Sequence, residues 1–331
     1  MALMKSIDRP ALHGVGDYTR FSFTAMGSPC EVIYAARSHA AAEAFRDTVV
    51  DWVSAFENQF SFYRKDSLVS RVNRDAGGEG VAIDETATEL LSLCNWYYWL
   101  TEGVFDPTAG PLLRLWDYHD PEAAIPSEGQ VAAARDLVGW SRVEYDEGRL
   151  RLPEPGMAID FGGIGKEYAI DQVMAIASRE GMRDVLVNFG HDVRMMGCAP
   201  QGGMWRVGLE DPRSPERCWS GVSIDNGAVC TSGDYRRYRT IEGKRYGHIV
   251  DCRTGYPVAN GCLSVTVIAT SSIDAGILST TAFVMGADDG LQMLARHFGS
   301  EGAIWTESGA IQTPGFAGYV VDDHDSERVF S

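Results

Sequence analysis

The sequence predicts an α+β fold in which helices pack on antiparallel sheets, and three observations carry that expectation. Strand-like runs cluster together rather than alternating singly with helices, as antiparallel pairing requires. Helical stripes of period 3.6 interleave between the clusters. No linker, low-complexity segment or repeat divides the 331 residues. Residues 21–331 therefore read as a single domain of two closely associated lobes, preceded by an extension over residues 1–20.

Residues 21–35 (FSFTAMGSPCEVIYA) read as two strands broken at Met26-Gly27-Ser28. From 40 to 60 the period turns helical, with Ala41, Phe45, Val49, Val53 and Phe56 on one stripe. A second helix spans 84–99 and opens on Asp84 and Glu85, acids that suit the positive end of a helix dipole. Pro107, Gly110 and Pro111 mark 103–115 as beginning in a loop. A short helix follows over 130–137, then strands at 143–145, 150–152 and 158–161. The last feeds Asp160-Phe161-Gly162-Gly163-Ile164-Gly165-Lys166, which opens a helix running to residue 180. Strands resume at 185–188, 193–197, 205–209, 220–225 and 228–231. The apolar run 263–269 is a buried strand, followed by helices over 274–285 and 291–298 and a strand at 303–306.

Hydrophobic residues make up 45% of the chain, enough for a sizeable core, and the formal net charge is -17. That charge, with no dense Lys/Arg run, argues against nucleic-acid binding. A site for a phosphate-bearing ligand has to be local, built from a few cations and backbone amides. No apolar run reaches about 18 residues, so no membrane span is expected. The N-terminus lacks signal-peptide features. A cytoplasmic location is expected, and a periplasmic one if a leader has been trimmed. Seven scattered cysteines without a C-x-x-C read as free thiols.

Five constellations offer chemistry. Asp160–Lys166 is a glycine-rich strand-to-helix turn, whose exposed amides and lysine suit a phosphate. A plain tight turn explains it equally well. Phe105-Asp106-Pro107-Thr108, with Trp116 beyond, reads first as a turn with a core tryptophan. Thr231-Ser232-Gly233 offers two hydroxyls after a strand, for a phosphate or for a simple turn. His248-Ile249-Val250-Asp251 places an imidazole near a carboxylate, a general base or a strand cap with Asp251 paired to Arg253. Ser271–Thr281 puts Asp274 and several hydroxyls at a helix start, where N-capping is the simpler reading and a hard cation the other.

In this order the blocks resemble the FAD:protein FMN transferase family, the ApbE-type flavin transferases. The matching segments run from Met26-Gly27-Ser28 through Phe60–Arg64, Gly103–Thr108, Asp160–Lys166, Val187–Gly190, Thr231–Tyr235 and His248–Gly255 to Gly286. The resemblance implies a T-fold-like body with FAD in an inter-lobe cleft beside a divalent cation, usually Mg2+. It implies transfer of FMN to a Thr or Ser hydroxyl of an acceptor protein, with release of AMP. In that picture His248 is the general base and Asp251 supports it. Met26, Tyr63, Phe105, Asp106, Trp116, Thr231, Ser232 and Gly233 line the dinucleotide, with Asp160 and Lys166 near it. The Gly165 carbonyl, Asp274 and Thr280 face the metal.

The sequence departs from the family pattern at four points. Gly276 occupies the place of the usual metal acid, four residues before Thr280, and Asp274 lies two residues early. Two residues turn a side chain by about 200° on a helix, and Asp274 still reaches the metal if the helix starts later and it lies in the preceding loop. His191 stands where glycine is usual, beside Asp192 as an alternative ligand. Cys252 replaces a proline, and the export signal is missing. Two further functions stay open: an FAD-binding carrier or sensor without transfer, and hydrolysis of FAD to FMN and AMP.

Overall fold

The computed structural model describes residues 7–117, 120, 124–146, 148–241 and 243–321. Its centre is a nine-stranded sheet in which every neighbouring pair is antiparallel. The strands follow one another across the sheet in chain order: His13–Val15, Tyr18–Ala25, Ser28–Tyr34, Val185–Phe189, Asp192–Met196, Asn226–Gly233, Cys262–Ala269, Glu301–Thr306 and Gly309–Gln312. Apart from a single helical turn at Phe316–Gly318 after the last strand, the other elements are insertions between these strands.

Strand alternation assigns the two faces. Ile33, Leu186, Val193, Met195, Val229 and Ile268 share one buried cluster with Trp205, Val207, Leu209, Val222 and Ile224 of the hairpin Trp205–Asp211/Ser214–Ile224. Their alternates Val32, Tyr34, Val185 and Val187 pack with the helices His39–Phe60, Glu85–Leu100 and Gly165–Arg179. On the same alternation, Ala228, Cys230, Val265 and Val267 pack with Ser272–Met285. That helix is apolar nearly all round and correspondingly buried.

The α+β expectation holds, with local differences. Residues 158–161 form no strand. Their backbone is held by Asn73, whose amide donates to the Ile159 carbonyl (2.9 Å) and accepts from its N–H (2.8 Å), and by the Asp160 N–H on the Pro107 carbonyl (2.8 Å). The helix expected from 274 begins at Ser272, behind the N-cap Ser271. The helix expected from 291 spans Ala287–Arg296. Short helices at Leu68–Arg74 and Gly110–Leu115 and a hairpin at Tyr238–Ile241/Lys244–Gly247 lacked a clear sequence signal. All seven cysteines are unpaired. Among the described residues no helix is long and apolar enough to cross a membrane.

Candidate active site

Two two-residue hairpins meet at one end of the main sheet. Met26 (φ 51°) and Gly27 (φ 68°) join strands paired at Ala25 and Ser28, and Gly190 (φ 59°) and His191 (φ 74°) join strands paired at Phe189 and Asp192. Positive φ at both positions is the turn that matches strand twist. His191 thus holds a left-handed position that favours glycine. The Gly190 N–H donates to the Pro29 carbonyl (2.8 Å), and a Cβ on Gly190 would meet Ser28 Oγ at 2.9 Å, so the turns lie against one another. The Met26 N–H donates to Glu57 Oε1 (2.9 Å).

The glycine-rich turn enters beside them. Helix Gly165–Arg179 starts without a side-chain cap, at Ile164. Asp160 Oδ1 accepts from the Gly162 N–H (2.7 Å), and Phe105 lies against Gly163. Burial raises the Asp160 pKa, opposed by the Gly162 amide and Arg114. Arg114 in turn lies over the Phe62 ring, whose neighbour is the exposed ring of Tyr63. Phe56 packs under Gly165.

From this turn Lys166 reaches two carboxylates, forming a very short contact with Asp192 and a 2.8 Å pair with Glu167 Oε1. Asp192 Oδ1 also accepts from the Thr231 N–H (3.1 Å). The Ser232 hydroxyl lies 2.8 Å from both Ser279 and Thr280, so the third constellation meets the fifth. Thr231 pairs with Thr266 (2.8 Å). Gly233 has no room for a side chain, since a Cβ would meet the Leu263 carbonyl at 2.8 Å. Burial lowers the His191 pKa, and positive charge on Arg236, Lys166 and Arg237 lowers it further. Glu210, bound in a fork by Arg236, opposes them, so cations and carboxylates are interleaved at this end of the molecule.

His248 is fixed through its backbone and its ring. Its N–H donates to the Arg237 carbonyl (3.1 Å), and its Nδ1 lies 3.1 Å from the same oxygen. A carbonyl only accepts, so Nδ1 carries the proton and the lone pair is on Nε2. Burial, then Arg237, pull the imidazole pKa down to about 4, so the ring is neutral at physiological pH. The Asp251 carboxylate is bound in a fork by Arg253 (3.0 and 3.0 Å). Trp116 anchors the loop that follows: its indole N–H donates to the Gly255 carbonyl (2.8 Å), and its ring stacks on Tyr246. Asp106 is a staple, accepting from the Thr108 N–H (2.7 Å) and hydroxyl (2.5 Å) and from the Trp140 N–H (3.1 Å). Burial raises the Cys252 thiol to about 12, which makes it unreactive near neutrality.

Asp274 lies apart from these groups in its bonding. It occupies the first turn of Ser272–Met285, with Oδ1 accepting from the Tyr97 hydroxyl (2.7 Å) and Oδ2 from Ser271 Oγ (2.7 Å). Six residues on, Thr280 is turned by about 240°. The condition on which Asp274 would reach a metal beside Thr280, a later helix start, is not met. Sequence reasoning passed over Glu167, because an acid in a first helical turn reads as a dipole partner.

The fold and the site define a class: an α+β protein that gathers amides, hydroxyls and ion-paired cations at one sheet end, beside a half-buried neutral histidine. The ApbE family model matches residues 26–305, and the chain belongs to the ApbE family. It is 30% identical over 297 residues to a FAD:protein FMN transferase of Vibrio cholerae, covering 88% of this chain and 87% of that one. It is 31% identical over 277 residues to one from Klebsiella pneumoniae (83% and 84%). The crystal structure of the ApbE protein of Thermotoga maritima superposes with a TM-score of 0.84 at 30% identity, over 92% of this chain and 100% of that one. The flavin transferase ApbE of Vibrio cholerae gives 0.81 at 26%, over 93% and 100%.

Proposed function

We propose that this chain transfers FMN from FAD to a Thr or Ser hydroxyl of an acceptor protein and releases AMP. The acceptor oxygen attacks the phosphorus of the FMN half, and the bridging P–O bond to AMP breaks. The hydroxyl proton passes to His248 Nε2, and AMP leaves with the bond's electron pair. The observation that carries this reading is the hydrogen-bonded Nδ1 of His248, which leaves the lone pair of a neutral ring on Nε2. Lys166 and the amides of the glycine-rich turn suit the pyrophosphate, and Thr231, Ser232 and Gly233 the dinucleotide beside it.

A divalent cation, Mg2+ in this reading, would neutralise charge on the pyrophosphate. Among the described residues no three His, Cys, Asp or Glu side chains gather as a metal cluster. A cation completed by hydroxyls, carbonyls and substrate phosphates is the Mg2+ pattern. The donors fit it: the Thr280 hydroxyl lies beside Ser232, and Glu167 Oε2 is buried with no hydrogen-bond partner among the described residues.

The test is incubation with FAD, Mg2+ and an acceptor domain. An FMN-sized mass increase on the acceptor together with AMP is expected. No addition under conditions where a family member acts would overturn the proposal. Gly276, which brings no acid to its position, favours a second reading, a flavin carrier without transfer. FAD binding indifferent to EDTA, with no AMP formed, is its signature, whereas AMP formed without an acceptor marks hydrolysis.

A further inference from the structure

We infer that Glu167 supplies the carboxylate of the cation site, in the space that an acid at position 276 would fill. This rests on the reading of the chain as a cation-dependent FMN transferase. Gly276 of helix Ser272–Met285 lies directly under Glu167 of helix Gly165–Arg179. A Cβ on Gly276 would be 2.5 Å from Glu167 Cγ and 3.3 Å from its Oε1. Real Cβ atoms do not approach that closely, so glycine at 276 and glutamate at 167 are one arrangement.

The carboxylate is incompletely bonded. Glu167 is 6% exposed; Oε1 meets Lys166, and Oε2 has no hydrogen-bond partner among the described residues. A buried charged oxygen without a donor marks a missing partner. The charge balance gives that partner's sign. Lys166 is held between two buried carboxylates, Glu167 and Asp192, so the three groups leave one negative charge uncompensated. Thr280 lies one turn beyond Gly276, on the same helix face. Its hydroxyl and the Glu167 carboxylate form an all-oxygen set, the preference of a hard divalent cation. The carboxylate thus comes from helix Gly165–Arg179, and Gly276 on the neighbouring helix leaves it room.

The experiment uses Mn2+ as a spectroscopic probe, titrated into the full chain with FAD present and followed by electron paramagnetic resonance. Glu167→Gln keeps the shape and removes the charge. It should weaken Mn2+ binding by about tenfold or more, as loss of a charged oxygen ligand does. FAD affinity measured in EDTA should stay within about threefold. The exchange variant Glu167→Gly/Gly276→Asp restores an acid from the other helix and relieves the close approach. It should bind Mn2+ within about threefold of wild type, whereas Gly276→Asp alone should lower the melting temperature. Wild-type affinity in Glu167→Gln, or no recovery in a folded exchange variant, would overturn the assignment. Flavinylation by a wild-type chain that binds no Mn2+ would overturn the cation reading beneath it, a distinguishable failure.

Discussion

His248 Nδ1 lies 3.1 Å from the Arg237 carbonyl oxygen, and that contact sets the tautomer of the ring. Burial sets its charge: the pKa is lowered to about 4. In the flavin-free enzyme the acid limb of kcat/KM should fall well below pH 6.5. A limb at 6.5 would mean that another group is the base. The stability sign follows from linkage. Between pH 4 and 6.5 the unfolded chain binds more protons at this site than the folded one. Wild type should therefore lose stability relative to His248→Asn as pH falls through that window. Urea titrations at pH 5 and pH 8 measure it.

His248→Ala removes the proton acceptor and leaves Lys166 and the glycine-rich turn in place. Transfer should fall by about 100-fold or more, as loss of a general base does. FAD binding, followed by flavin fluorescence, should be nearly unchanged. An unchanged rate would remove His248 from the chemistry.

Gly255 ties the histidine loop to the helix before Trp116. Its φ is +81°, and a Cβ would meet Val131 Cγ1 at 2.7 Å. Gly255→Ala should cost about 2 kcal/mol or more, through backbone strain and overpacking together. Trp116→Phe removes the bond to the Gly255 carbonyl and should cost about 1–2 kcal/mol. Denaturant midpoints test both.

Asp106 accepts three hydrogen bonds within the protein, so its first effect is on folding. Asp106→Ala strands the Thr108 and Trp140 amides and should cost about 3 kcal/mol. Chemical denaturation against wild type measures the loss. A stable Asp106→Ala with sharply weaker FAD binding would assign the carboxylate to the ligand instead.

The inner strands of the main sheet were legible because their apolar runs are bounded by turn residues. The edge strands His13–Val15, inside the expected extension, and Gly309–Gln312 are short and largely exposed and were not. Asp160–Lys166 and Thr231–Gly233 stood out because glycines and hydroxyls cluster there. Partners distant in sequence were not legible. Asn73 replaces a strand partner for Ile159 across 86 residues, and no local pattern reports such a clamp. The hairpin at 238–247 is charged and exposed, so it lacks the apolar alternation that marks a half-buried strand. Glu167 was hidden for a related reason, because its meaning comes from Gly276 on another helix.

Asp274 separates capping from cation binding. Ser271 Oγ accepts from the Asp274 N–H (3.0 Å) and donates to its carboxylate, while Tyr97 donates to the other oxygen. Both oxygens are thereby engaged at the helix start. Asp274→Ala should cost about 1–2 kcal/mol through the lost cap interaction and the stranded Tyr97 hydroxyl. Activity in Asp274→Ala should remain sensitive to EDTA and be restored by Mg2+ at wild-type concentrations. A large rise in the Mg2+ requirement, in a variant that melts near wild type, would return the metal to Asp274. The two measurements separate cleanly, because a capping residue moves stability and a ligand moves the cation titration.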